Sequence, residues 1–298
     1  MKSAMTPKMT DPMIPPGLDP PPRDGLDASK QPLHESKGRT SHTPRSPFRL
    51  FWERIAILAG VVALWELTTS VGLVSSSILS SPVDVAQAVT SEATSGDLWQ
   101  ALGQTGLSWI LGLGLALVIG NVIGFVVGSN RALERTTRLV IDVLRSVPAI
   151  TVLPLALLMF GVTLQMKLTV IVFGAMWDVV IQSLYATRQV DPVAKDTLRS
   201  FGVSRWNSLR FLYLPSAAPF IATGVRLAAI HALLLSVGTE VIGGSPGIGA
   251  ELLAQQEKGD LPAMYGYIIV AGLLGLALNQ LFLALETRLL VGHVGYRS

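Results

Sequence analysis

Residues 107–128 read LSWILGLGLALVIGNVIGFVVG, a stretch without a single charged side chain. A helix rises about 1.5 Å per residue, so about 20 apolar residues cross the hydrocarbon core of a bilayer. The stretch therefore predicts a transmembrane helix. Gly112, Gly120, Gly124 and Gly128 are separated by multiples of four residues and share one slowly drifting face. Because glycine lets a second backbone approach closely, this face predicts tight packing against another helix.

Similar apolar runs recur along the chain and decide its class. Half of the 298 residues are hydrophobic and only 14% are charged, against about one quarter charged in soluble domains. The chain has no cysteine, which excludes disulfides, a thiolate nucleophile and cysteine-ligated metal sites. We predict an all-α integral membrane protein with about six transmembrane helices, five or seven remaining open, at residues 55–74, 107–127, 147–162, 168–185, 219–237 and 264–285.

The basic residues predict the orientation of these spans. The predicted spans are separated by connections that lie alternately on the two sides of the membrane. Of the 23 Lys and Arg, 20 lie in the two terminal segments and the connections on their side, two lie in the connections on the other side, and Arg226 lies within a span. Cytoplasmic segments are enriched in Lys and Arg. We therefore expect a multi-pass protein of the bacterial plasma (inner) membrane with both termini in the cytoplasm.

Residues 1–50 differ in composition from the rest. They hold ten of the 18 prolines and show no apolar periodicity. Proline removes helix and ladder hydrogen bonds, and the few large apolar residues cannot offset the loss of chain entropy. We predict a disordered cytoplasmic tail over residues 1–50 and a transmembrane domain over 51–298.

The longest predicted cytoplasmic connection, residues 191–215, has the pattern of two short helices. Asp191 is a suitable N-cap, and Gly202 is placed to end the first helix in a left-handed conformation. We expect Ser204 to cap the second helix and Pro215 to end it. Apolar residues such as Phe201 and Trp206 lie among charges, which indicates either a partner surface or a loop lying against its own bundle or the lipid headgroups.

This connection resembles the EAA loop of ABC importer permeases. Asp196, Thr197 and Leu198 occupy the Glu-Ala-Ala positions, although only the carboxylate of the first is kept. The remaining positions of the motif are in register and are filled by Gly202, Leu212, Leu214 and Pro215. The resemblance implies a type I importer fold in which this loop forms a coupling helix seated on a cytoplasmic ATPase. It assigns ATPase coupling to these seven residues and to Phe201.

The resemblance covers residues 97–286, and several motifs are similar to the nitrate, sulfonate and taurine branch of that family. They include Arg145-Ser-Val-Pro148 and Thr239-Glu240-Val-Ile-Gly-Gly-Ser-Pro-Gly247-Ile-Gly249. Membership implies two ATP-binding cassette subunits, an extracytoplasmic solute-binding protein, and a second permease copy, with a homodimer expected. The implied solute is a sulfonate, nitrate, taurine or similar small anion.

Motifs for chemistry are missing from the sequence. There is no G-x-x-x-x-G-K-[ST] loop for ATP phosphates, no H-E-x-x-H or other metal-ligand spacing, and no nucleophile elbow. We therefore expect no catalytic residues, no metal, no cofactor and no nucleic-acid partner, with ATP hydrolysis supplied by another chain.

Ionisable residues within the spans are candidates for the substrate path, because charge in a membrane is costly and is usually functional. Arg226 is predicted to snorkel, to pair with Asp178, or to face the path as a cation that favours anions. His231 is predicted to be a satisfied interior histidine rather than a proton relay.

The glycine-rich segment after the fifth predicted span is a second candidate. Gly247 and Gly249, together with Gly243 and Gly244, permit backbone N–H groups to converge on an anion, although a plain turn also explains them. Glu240, Gly247 and Gly249 are assigned to the outer end of the path.

Two alternative functions remain open at this point. An ion-coupled secondary transporter would use Asp178, Arg226 and His231, although such carriers commonly contain inverted repeats and the two halves of this sequence show none that is convincing. An intramembrane enzyme would use Asp178 and His231 as an acid–base pair.

Overall fold

The computed structural model describes residues 47–75 and 78–290, and every regular element within those residues is helical. The α-helices are α1 (Pro47–Ser70), α2 (Pro82–Ser95), α3 (Asp97–Ser129), α4 (Arg131–Ser146), α5 (Leu153–Phe160), α6 (Leu164–Arg188), α7 (Pro192–Ser200), α8 (Arg205–Ser208), α9 (Leu214–Gly243), α10 (Ile248–Lys258) and α11 (Leu261–Leu290). A 3₁₀ turn, Ala149–Val152, precedes α5, and a π-helical turn, Leu209–Tyr213, joins α8 to α9.

The chain divides into two units, residues 1–54 and 55–298. Helices α2 to α11 all belong to the second unit. The predicted disorder of residues 1–46 lies outside the described residues, as does the predicted cytoplasmic location of residues 291–298. Residues 47–50, which we placed at the end of the tail, form the first turn of α1.

The predicted glycine face of α3 is confirmed. A Cβ at Gly120 would lie 2.8 Å from the carbonyl oxygen of Met176, and one at Gly124 would lie 2.8 Å from that of Val180. At Gly112 and Gly128 it would overlap side chains of the same neighbouring helix. Helices α3 and α6 therefore pack backbone to backbone, which maximises dispersion contacts where lipid offers no hydrophobic driving force.

The apolar core lies where α3, α5, α6 and α9 meet. Small and branched side chains fill it, among them Ala116, Val170, Ile171 and Ala229, none of which is accessible to solvent. The Trp109 indole N–H donates to the carbonyl of Ala229 at 2.9 Å, so even the polar atom of this aromatic side chain is satisfied between two helices.

Four helical segments of the described residues are long and apolar enough to cross a membrane, and a bent pair raises the number to five. The four are α3, α6, the run from Arg205 to Lys258 that contains α9, and α11. Helix α4 and the segment Ala149–Phe160 form the pair, bent by 83° at Pro148, where a helical hydrogen bond is lost. The first predicted span, 55–74, ends earlier than expected, because α1 ends at Ser70 and Gly72 takes a φ of 72°.

Helix α2 was missed by the sequence analysis, which placed a connection there. Ser81 caps it by accepting from the amide of Asp84 at 3.1 Å, and Pro82 fills its first turn. Only a short stripe of small apolar residues at four-residue spacing marks it, in an otherwise largely polar segment. It packs on α11 through Val89 and Gly266, and the Tyr267 hydroxyl donates to Glu92 at 2.7 Å.

The expectation that Pro215 ends a helix is wrong. The backbone continues from α8 through the π-helical turn into α9, and Pro215 lies in the first turn of α9. Proline cannot donate to the preceding turn, and its ring crowds the carbonyl four residues earlier. The wider π turn absorbs that mismatch while the chain remains helical.

Candidate functional site

The predicted helix–turn–helix of residues 191–215 is present with the expected caps. The Asp191 carboxylate accepts from the amide of Val193 at 2.8 Å, and the Ser204 hydroxyl accepts from that of Asn207 at 3.3 Å. Between the two helices Gly202 has a φ of 65°, in the left-handed region that favours glycine. The caps and the glycine together fix the angle between α7 and α8.

The apolar side chains of this loop are exposed on the described part of the chain. Phe201 is 81% and Trp206 is 70% accessible, and Val193 is similarly open. Such a cluster among charged residues is typical of a protein interaction surface. We call Val193, Phe201 and Trp206 the apolar loop face.

The other predicted coupling residues divide into two groups. Asp196, Thr197 and Leu214 are exposed, and Thr197 donates back to the Val193 carbonyl at 2.8 Å. Leu198 and Leu212 are half-buried and line a cavity between α7 and the π-helical turn. The second group supports the loop from within, and Pro215 starts the helix that continues from it.

A buried charge cluster lies at the other end of α9. Glu240 has no accessible surface, and one carboxylate oxygen lies 2.6 Å from the ammonium group of Lys167, which is 4% accessible. The other oxygen accepts from the Thr105 hydroxyl at 2.9 Å and from the Gly249 amide at 3.0 Å. Lys167 also donates to the Pro246 carbonyl at 3.1 Å. This cluster therefore joins α3, α6, α9 and α10.

The glycine-rich segment holds an anion, and that anion is the Glu240 carboxylate of the chain itself. A Cβ at Gly247 would overlap this carboxylate, and Gly247 has a φ of 150°. A Cβ at Gly249 would lie 2.6 Å from the carbonyl oxygen of Val237. In this structure Glu240, Gly247 and Gly249 are all buried, so they shape the end of the bundle and present no surface to a solute.

Lys167 was missed by the sequence analysis, which counted it as part of a short outer connection. Its nearest partner in the chain is 73 residues away, so no local pattern reveals the pair. The sequence offered one signal: Lys167 lies at the edge of one apolar run, and a single glutamate, Glu240, lies near the end of another apolar run. A charge in such a place usually has a partner.

The predicted pairing of Arg226 with Asp178 is wrong. Arg226 Nε lies 3.3 Å from Glu286 of α11, a carboxylate that also accepts from Thr223 at 3.1 Å. Asp178 instead pairs with His231, with 2.5 Å between Oδ2 and Nδ1. Asp178 on α6 faces the turn of α9 that carries His231, whereas Arg226 lies more than one turn earlier and faces α11.

The position of the Asp178–His231 pair distinguishes it from the buried cluster. His231 lies 17 residues after Leu214, so it is about 26 Å along α9, near the middle of this helix of about 45 Å. The His231 side chain is 54% accessible in the isolated chain. A polar side chain at this depth is costly against lipid and is expected to face water or another protein chain.

Comparison with known proteins places this chain in a family. The model of the family described as binding-protein-dependent transport system inner membrane component matches residues 112–290. The aliphatic sulfonates transport permease protein SsuC of Escherichia coli (strain K12) is 32% identical over 72% of this chain and 82% of its own length. The taurine transport system permease protein TauC of the same organism is 27% identical over 80% of this chain and 89% of its own.

A solved structure has the same fold. A chain of the inward-facing MetNI methionine ABC transporter aligns with a TM-score of 0.51 at 19% identity, over 64% of this chain and 93% of the other. This similarity concerns the arrangement of helices, because the identity is low.

Proposed function

Because the chain belongs to the family of binding-protein-dependent transport system inner membrane components, we propose that it is the permease subunit of an ATP-driven ABC importer. The observation that carries this proposal is the loop of residues 191–215. Its caps and the left-handed Gly202 hold two short helices that expose the apolar loop face. A cytoplasmic ATPase would bury this face and act on the bundle through it.

The coupling role is assigned to Asp196, Thr197, Leu198, Phe201, Gly202, Leu212, Leu214 and Pro215. Phe201 makes direct contact with the ATPase, Gly202 sets the angle between α7 and α8, and Leu198 and Leu212 support the loop. Because the π-helical turn continues into α9, a movement of this loop shifts the helix that carries His231 and Glu240.

The assembly contains two copies of this chain, two ATPase subunits and an extracytoplasmic solute-binding protein. The relatives SsuC and TauC are described as permeases, and this sequence has no phosphate-binding loop of its own. The distribution of Lys and Arg supports an orientation with both termini and residues 191–215 in the cytoplasm.

The solute is a small anion of the sulfonate, taurine or nitrate type. The names of the sulfonate and taurine permeases support this assignment. The deciding experiment measures uptake of radiolabelled sulfonate, taurine and nitrate by host cells with and without the gene, and identifies the proteins that co-purify with the tagged chain. We expect cells without the gene to lose ATP-dependent uptake of one of the three solutes. We also expect an ATPase to co-purify with the tagged chain. Uptake by the chain alone, driven by a pH gradient, would identify a secondary transporter instead.

The path is assigned to the Asp178–His231 pair, whereas Arg226 is more buried than His231 and is neutralised by Glu286. His231 faces the central path between the two copies and donates to the passing anion, and Asp178 orients its ring. Glu240, Gly247 and Gly249 act on the path indirectly, through the packing of its outer end.

Replacement of His231 by alanine tests this assignment. We expect the maximal uptake rate of the assembled transporter to fall about tenfold, a loss of about 1.4 kcal/mol in barrier stabilisation. The ATPase should still co-purify, because His231 lies far from the loop. Leu234→Ala is the matched control, since Leu234 is exposed on the same helix less than one turn away. Equal rates in the two variants would remove His231 from the path.

A further inference from the structure

A basic cavity lies beside the loop of residues 191–215. Its volume is about 700 Å³, and its walls come from the end of α3, the first half of α4, the end of α6 and the start of α7. Five cationic side chains line it: Arg131, Arg135, Arg138, Arg188 and Lys195.

The cations exceed the carboxylates that could neutralise them. The one acidic residue that lines the cavity is Glu134, which is held in an ion pair by Arg188. Arg138 lies 3.9 Å from Asp142 in an exposed pair of α4. Within residues 47–75 and 78–290, no ion pair is formed by Arg131, Arg135 or Lys195. A concave surface with this excess of positive charge attracts anions.

The cavity lies where the membrane surface is expected. Gly128 and Ser129, which line it, are the last residues of the apolar helix α3, and Tyr213 precedes α9. Tyrosine and the ends of apolar helices mark the level of the lipid headgroups. Helix α4 also exposes apolar side chains beyond its arginines, among them Leu139 and Val143. A basic helix with an apolar side is typical of contact with the membrane interface.

We propose that this cavity binds a phosphate-bearing anion, supplied by the headgroup of an anionic phospholipid of the cytoplasmic leaflet. Free phosphate offers the same oxygen atoms but has no acyl chains to lie beside Leu139 and Val143. Since Lys195 belongs to α7, the bound phosphate ties the loop to the ends of α3 and α4. The lipid composition of the membrane would thereby affect the position of α7, which belongs to the loop proposed to contact the ATPase.

The test measures lipid retention by native mass spectrometry of the purified transporter. The transporter is released from nanodiscs of phosphatidylcholine containing a minor fraction of phosphatidylglycerol. We expect phosphatidylglycerol to be retained by the wild type, with about fivefold weaker binding for each cation removed in Arg135→Gln and Lys195→Gln. Lys258→Gln, which removes a cation from the end of α10, is the matched control and should retain lipid as the wild type does.

The remaining arms separate the sources of the anion. If excess inorganic phosphate does not displace the retained phosphatidylglycerol, the cavity is a lipid site. If the transporter retains no phosphatidylglycerol but binds inorganic phosphate in pure phosphatidylcholine, the cavity holds a free anion and the lipid source is overturned. Equal retention by Arg135→Gln and Lys258→Gln overturns the site. The site is also overturned if the isolated chain retains phosphatidylglycerol and then loses it when the ATPase binds, because the ATPase would then occupy the cavity. Both variants change exposed side chains, and an unchanged melting temperature will show that they are folded.

Discussion

Replacing Lys167 with methionine is expected to lower the free energy of unfolding by about 3 to 5 kcal/mol, because it leaves a carboxylate buried without its cation. Glu240 has no accessible surface, so water cannot replace the lost ammonium group. The Thr105 hydroxyl and the Gly249 amide would still donate to the carboxylate, but neither carries a charge. The measurement is the thermal unfolding midpoint of the purified chain in detergent.

Two further variants make this result specific. Lys258→Met removes an exposed lysine from the end of α10 and should leave the midpoint unchanged. The double variant Lys167→Met with Glu240→Gln removes both charges and should recover part of the loss, since a neutral pair no longer buries an unbalanced charge. If Lys167→Met and Lys258→Met unfold at the same temperature, the cluster does not hold these ends of α3, α6, α9 and α10 together.

Replacing Phe201 and Trp206 together with serine is expected to abolish uptake and to weaken ATPase association by at least about tenfold. Both side chains are largely exposed in the isolated chain, so the bundle does not need them for its own packing. Aromatic side chains at the centre of an interface contribute most of its binding energy. The measurements are the amount of ATPase that co-purifies and the rate of solute uptake.

The thermal midpoint distinguishes a lost interface from a lost fold, and it should not change in this double variant. Trp99→Ser serves as the control for ATPase association, because Trp99 is also exposed but belongs to the first turn of α3, at the other end of the bundle from the loop. Normal association of the double variant would show that the ATPase does not bind at the apolar loop face.

Local chemistry made much of this fold predictable. The glycines of α3 required a close neighbour, and α6 provides it. Asp191 and Gly202 mark the start and end of α7 in the sequence, because a cap and a left-handed turn depend on nearby residues alone. The same local pattern placed apolar residues in the loop, but it left open whether they are exposed or lie against the bundle, and the structure shows them exposed.

The remaining features depend on partners far apart in the chain. Arg226 could have paired with Asp178 or with Glu286, and only the packing of α9 against α11 decides between them. Lys167 looked like a residue of a loop because its carboxylate lies 73 residues later. Helix α2 carries only a short apolar stripe, and the surface of α11 on which it packs lies far away in the chain.

The glycine contact between α3 and α6 also limits how the bundle can change shape. At the four glycine levels of this contact there is no room for even a methyl group, so sliding one helix along the other would drive branched side chains into the opposing backbone. These two helices must therefore travel as a single rigid piece. The proposed alternation of access would then need hinges outside this pair, and the 83° bend at Pro148 lies at such a place.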